Sequence, residues 1–225
     1  MSTCAVPLHK RELTSLLASP EKRVLTWLAQ RTPACINSDH LTVLGFVGMI
    51  LAGVCYGAGS WNREMILLVV PALALNWYGD SLDGTLARVR DKQRPRYGYY
   101  TDHVLDILGT SILIAGLAVS GLMTPLLALG VLCAFLMTAA EAFLAAHVRR
   151  VFKMSFLFFG PTELRLVLAA GTLYAFNHSR VKLGGYGEAL LFDVGGVVAM
   201  AGLVCAFMAT AVQNIGALYR EEPLE

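Results

Sequence analysis

The 225-residue sequence is short of charge: Asp, Glu, Lys and Arg make up only 15% of it, against 56% hydrophobic residues. A soluble domain of this length needs far more polar surface, so the composition excludes that class and indicates an integral membrane protein. Informative cysteine patterns are also missing. Cys4, Cys35, Cys55, Cys133 and Cys205 stand far apart, with no CxxC and no Cys/His spacing. That excludes a thiol-redox or zinc motif and leaves free thiols. A secretory leader is not expected, because Lys10 and Arg11 are followed by a charged, amphipathic stretch and not by an apolar core. Internal repeats and low-complexity segments are lacking too, so residues 1–225 read as a single membrane domain. Nucleic acid is not expected as a partner.

What is present is apolar length. Six stretches approach or exceed what a hydrocarbon core of roughly 30 Å requires: Leu41–Gly59, Met65–Gly79, Val104–Leu122, Pro125–His147, Thr162–Phe176 and Ala189–Tyr219. The expected fold is all-α and polytopic, with six transmembrane helices over 41–219. The second and fifth stretches are short. The second is expected to continue as a helix into the segment that follows, and the fifth to begin near Ser155. Residues 1–40 form an N-terminal cytosolic segment. There Leu13, Leu16 and Leu17, then Val24, Trp27 and Leu28, have helical spacing, and Ser19-Pro20 reads as a helix start. With Glu21, Lys22 and Arg23 the second of these reads as an amphipathic interfacial helix, or as a cap packed on the bundle.

The net charge of +2 matters less than its distribution. Lys10, Arg11, Lys22, Arg23 and Arg31 precede the first span, Arg88, Arg90, Lys92, Arg94 and Arg96 join spans two and three, and Arg149, Arg150 and Lys153 join spans four and five. The opposite loops hold Arg63, Arg180 and Lys182. Both termini and the loop between spans two and three are therefore expected on the cytoplasmic side.

That loop follows the chemically richest stretch, GDSLDGTLARVRDKQRPRYGYYTDHVLD, Gly79–Asp106. Asp80 and Asp83 share one helical face at the end of span two, and Asp102 and Asp106 share another at the start of span three. With spans two and three as antiparallel neighbours, all four carboxylates converge at the membrane boundary. Four such groups repel one another, and protonation or a cation must relieve that. An all-oxygen donor set favours a hard divalent ion such as Mg²⁺, Mn²⁺ or Ca²⁺. The competing structural reading is helix-cap acids paired with nearby arginines, which suits any one aspartate better than all four. Gly84, Ala87 and Gly98 keep the surface beside the acids small, and Arg88 suits phosphate oxygens. Most of the other loop arginines read as topology markers.

The pattern Asp80-x-x-Asp83-Gly84-x-x-Ala87-Arg88, then Gly98-x-x-x-Asp102-x-x-x-Asp106, resembles the signature of the CDP-alcohol phosphotransferase family, with every defining position present. The resemblance implies transfer of a phosphate-substituted group from a CDP-linked donor to an alcohol, with release of CMP. Carried over, Asp80, Asp83 and Asp102 bind metal, with Asp106 near a second ion and the acceptor and the candidate general base. The ions are Mg²⁺ or Mn²⁺. Asp80, Asp83, Gly84, Ala87, Arg88 and Gly98 make the CDP-binding surface. A homodimer among membrane lipids, in a bacterial inner membrane, is also implied. One departure lies upstream, where the family often has Pro-Asn-x-x-Thr: Thr42 fits, but Ser38 and Asp39 stand in for Pro and Asn.

Acceptor and donor stay divided. CDP-diacylglycerol with a polar head-group acceptor is one arrangement, and a CDP-amino-alcohol with diacylglycerol is the other. Asp102-His103, Glu141 within span four, and Glu163 in GPTELR resemble the amino-alcohol group. Arg149, Arg150 and Arg165 would equally serve a phosphorylated acceptor. A hydrogen bond or ion pair inside the bundle competes with substrate binding for Glu141, and His103 reads as a hydrogen-bond partner of a site carboxylate or as an aid to deprotonation. A different class altogether, a non-enzymatic cation binder or transporter, would use the carboxylates without chemistry.

Overall fold

A computed structural model of the chain describes residues 18–149, 160–182, 184 and 187–222. The expectations for Leu13, Leu16 and Leu17, for a helix start near Ser155, and for Arg150 and Lys153 lie outside the described residues. The order of elements is α1 (Ala18–Arg31), α2 (Ser38–Ala58), a 3₁₀ segment (Arg63–Leu68), α3 (Val69–Val89), α4 (Pro95–Val119), α5 (Pro125–Arg149), α6 (Pro161–Asn177), β1 (Arg180–Lys182), β2 (Glu188–Leu190) and α7 (Leu191–Glu221).

Five described helical stretches are long and apolar enough to cross a membrane: Ser38–Ala58, Arg63–Val89, Pro95–Val119, Pro125–Arg149 and Leu191–Glu221. The sixth apolar helix, α6, has 17 residues. Outward-facing Leu126, Leu129, Leu144, Val197, Val198 and Val212 are exposed, which suits contact with lipid and not with water. As expected, α3 runs on from its apolar half through the acidic motif. Helix α4 starts earlier than its apolar stretch, at Pro95, whose fixed φ suits a first helical turn. Gly98 and Asp102 are therefore helical. The β1–β2 ribbon before α7 was not anticipated; its turn uses Gly184 and Gly187 at positive φ, where a side chain is disfavoured.

One expectation about packing is corrected. Helices α3 and α4 are not packed side by side. Instead α2 lies against both of them, and among the described residues α3 and α4 share few direct contacts. The close approach is made by glycines. A Cβ on Gly48 would lie 2.8 Å from Asn76 Cα of α3, and one on Gly116 of α4 would lie 2.8 Å from Gly53 Cα of α2. Small residues at such crossings let backbones meet where lipid offers no hydrophobic driving force. The main core forms around Tyr56, Val69, Leu73, Leu113 and Leu117, and the Tyr56 hydroxyl hydrogen-bonds Thr172 of α6 at 2.6 Å inside it.

Helix α1 packs Leu25 and Ala29 on Leu41, Leu82 and Leu86, leaving Val24 and Trp27 exposed. Glu21 anchors it, accepting from Trp77 Nε1 of α3 and Thr162 Oγ1 of α6, each at 2.7 Å. Two loop arginines have structural partners. Arg90 donates to the carbonyls of Thr32 (2.7 Å) and Pro33 (2.9 Å), closing the α1–α2 turn against the end of α3. Arg94 pairs with Asp39 across the starts of α4 and α2, and that hydrogen bond holds its guanidinium pKa above the ordinary value.

Candidate active site

The helical periods of α3 and α4 put two carboxylates on each, and α2 closes the gap between them. Asp80, Asp83, Asp102 and Asp106 all line one cleft, whose remaining walls are Thr42, Gly45, Phe46 and Met49 of α2, with Asn76 and Leu105. The convergence expected from the spacing is thus present, through a third helix. Gly45 is needed for it: a Cβ there would sit 2.9 Å from the Asp80 backbone nitrogen.

Each acid has a different local setting. Asp83 accepts from Thr42 Oγ1 at 2.6 Å and from the Gly84 N–H, and Ser38 Oγ donates to its backbone carbonyl at 3.1 Å. It also lies near enough to Asp80 and Asp102 to feel both like charges. Asp80 is ion-paired with Arg165 of α6. Asp102 Oδ2 is 3.6 Å from Nδ1 of His103. His103 itself is buried, with its ring 4.2 Å from that of Tyr99 and stacked on Phe143 at 5.3 Å, centroid to centroid. Donor atoms of Asp102, His103 and Asp106 all fall within 4.8 Å of one another, close enough to share an ion. The donor set around the cleft is dominated by carboxylate oxygen, which fits a hard divalent cation.

Beside the acids the surface is open, as the small residues suggested. A Cβ on Gly84 would meet only Arg88 Nη1, at 3.5 Å, and one on Gly98 would meet nothing within 4 Å. Ala87 is half-buried, and Arg88 donates to Thr85 Oγ1 at 2.9 Å along the same helix.

Two other sequence candidates lie elsewhere. Glu141 accepts from Asn214 Nδ2 at 2.6 Å, and Asn214 Oδ1 accepts from Arg149 at 2.6 Å, so the group ties α5 to α7. Glu163 is buried in the first turn of α6, where it accepts from the Gly160 N–H at 3.0 Å as part of the helix cap. Neither lines the cleft. Arg165 reaches Asp80 and also donates from Nε to Asn76 Oδ1 at 2.6 Å.

Sequence reasoning missed Asn76 and gave Thr42 and Ser38 no role at the acids. The signal for Asn76 was available: it is an amide in an apolar run, one turn before Asp80 on the same face. For Thr42 and Ser38 the signal was only positional, since nothing in the sequence says that α2 crosses beside the acids.

A sequence model of one family, described as CDP-alcohol phosphatidyltransferase, matches residues 36–211. No curated protein matches the chain.

Proposed function

The chain belongs to the CDP-alcohol phosphatidyltransferase family, and on that premise we propose that it moves a phosphate-substituted group from a CDP-linked donor to an alcohol, releasing CMP, in phospholipid synthesis. The observation that carries this reading is the meeting of Asp80, Asp83, Asp102 and Asp106 on one cleft. The acceptor oxygen bonds to the donor phosphorus that bears the transferred group. The bond from that phosphorus to the bridging oxygen breaks, and its electron pair leaves with CMP. The hydroxyl proton passes to a base, for which Asp106 is our candidate.

Asp80, Asp83 and Asp102 would hold Mg²⁺ or Mn²⁺, with Asp106 beside a second ion. A bound ion neutralises pyrophosphate charge and stabilises CMP as it departs. The residues of the chain do the positioning. Thr42 and the Gly84 N–H fix the Asp83 carboxylate, and His103, packed between Tyr99 and Phe143, stands beside Asp102. Gly84, Ala87 and Gly98 admit the donor against the backbone, with Arg88 at its phosphates.

Both donor arrangements stay within this proposal: CDP-diacylglycerol with a polar head-group acceptor, or a CDP-amino-alcohol with diacylglycerol. Asp102-His103 favours the second by resemblance. The lysine and arginine distribution supports an active site and termini on the cytoplasmic side, and the bacterial inner membrane comes into the proposal from the family resemblance alone. Exposed Val24 and Trp27 support α1 lying at the interface. A homodimer and a single membrane domain complete the reading.

The test is a panel of purified protein with CDP-diacylglycerol and CDP-amino-alcohols, crossed with candidate acceptors and read by CMP release and lipid mass spectrometry. Release is expected only when a divalent ion is present. Cation binding with no CMP from any donor would return the site to the binder or transporter reading. Two variants sharpen the result. Ala87→Leu, which crowds the donor surface, is expected to raise the donor KM about tenfold, the equivalent of about 1.4 kcal/mol. Thr42→Val removes a hydrogen bond to a charged group, worth about 1.5–3 kcal/mol. It should lower turnover by about tenfold or more, and parental turnover would show that Asp83 needs no such support.

A further inference from the structure

Helix α6 places no side chain on the lining of the cleft, yet it reaches the cleft through one residue. Arg165 donates from Nη2 to Asp80 Oδ2 and from Nε to Asn76 Oδ1, the latter at 2.6 Å. Asn76 is 5% exposed and spends its amide nitrogen on the Gly45 carbonyl of α2, at 2.9 Å. The guanidinium is therefore held by a group that is itself held, and it is held independently of Asp80. The planar fork of arginine allows this double grip, which a lysine ammonium cannot reproduce.

The surroundings restrict the same contact. Trp77 and Thr162 stand one turn ahead of Asp80 and Arg165 on their respective helices, and Glu21 Oε1 accepts from both at 2.7 Å. The spacing of α3 and α6 is thus set twice, once by Glu21 and once by Arg165. Nη1 of Arg165 is buried with no hydrogen-bond partner among the described residues, so Nε and Nη2 make the contacts that hold the guanidinium. A guanidinium nitrogen desolvated without a partner is costly to keep.

We infer that Asn76 and Arg165 are positioning residues for Asp80: the Gly45–Asn76–Arg165 chain fixes one carboxylate oxygen and leaves the other to the cleft. This rests on the reading of Asp80 as a metal ligand. It differs from a simple counter-ion role, in which any positive charge near Asp80 suffices. Hydrogen-bond partners behind metal ligands generally change metal affinity or activity 10–100-fold when mutated.

Two charge-conserving variants separate the roles. Arg165→Lys keeps the charge but loses the fork, and Asn76→Leu keeps the volume and removes the hub. Mn²⁺ binding to the full chain in detergent is titrated by electron paramagnetic resonance, alongside turnover with whichever donor of the CDP-diacylglycerol and CDP-amino-alcohol panel gives the most CMP. The expected result is at least tenfold weaker Mn²⁺ binding in both variants, with a changed Mn²⁺ spectrum and a fall in kcat larger than any rise in donor KM. A counter-ion role predicts parental affinity in both, since the net charge is the same. Parental affinity in either folded variant overturns the inference. If Asn76→Leu does not fold, Arg165→Lys decides alone. A parent protein that binds no Mn²⁺ overturns the metal reading and this inference with it, whereas parental binding with unaffected variants overturns the inference only.

Discussion

Replacing Asp83 with asparagine is expected to lower CMP release by about three orders of magnitude, the equivalent of roughly 4 kcal/mol. The substitution keeps the shape and removes the charge. Thr42 Oγ1 and the Gly84 N–H both donate to Asp83 at present, on different oxygens. An asparagine offers only one acceptor oxygen, so one donor loses its partner. Set against that loss is relief of the cost of burying a charged carboxylate and, after it, of the like charges of Asp80 and Asp102. The two effects oppose each other, and the unfolding temperature of the metal-free protein is expected within a few degrees of the parent. Activity and stability should thus separate. CMP release and thermal unfolding in detergent read the two quantities. Retention of a tenth of the parental turnover would remove Asp83 from the reacting centre.

How far the sequence carries this site can be argued residue by residue. Helical period assigns faces, so Asp80 with Asp83 and Asp102 with Asp106 were legible as pairs. The family signature then joins the two pairs into one motif. Period does not say which helix covers a face, and the sequence reading made α3 and α4 neighbours where α2 mediates. Thr42 and Ser38 were missed as partners of Asp83 for that reason alone. For Glu141 a hydrogen bond inside the bundle is one of the two readings the sequence offers, and the structure shows one, but its partner could not be read from helical period. An acid in an apolar helix looks functional by default, yet its amide partner Asn214 lies 73 residues away. Local chemistry was read better: Gly84 and Gly98 do leave open surface.

The glycines of the helix crossings decide whether that three-helix arrangement is a cause of the site or an accident of packing. Glycine to alanine in an exposed helix normally stabilises, by about 1 kcal/mol, because alanine has the better helix propensity. Gly195 and Gly202 of α7 would place a Cβ in open space, so alanine there should stabilise or leave the protein unchanged. At Gly48 the same methyl group would lie 2.8 Å from Asn76 Cα and 2.9 Å from the Ala72 carbonyl oxygen. Those are backbone atoms and cannot rotate away, so α2 and α3 must separate. Overpacking of this kind costs about 1–3 kcal/mol, which is roughly 2–12 °C in unfolding temperature for a chain of this size. Activity should fall further than stability does. The displaced residue is Asn76, which holds Arg165, and the helix that moves also carries Thr42, whose bond to Asp83 is 2.6 Å long. Gly116→Ala on the α2–α4 crossing, with Gly53 Cα at 2.8 Å, should destabilise in the same way. Opposite signs for one substitution at Gly48 and Gly202, measured side by side, would show that close contact through α2 assembles the cleft. Equal signs would mean that the acids converge without it.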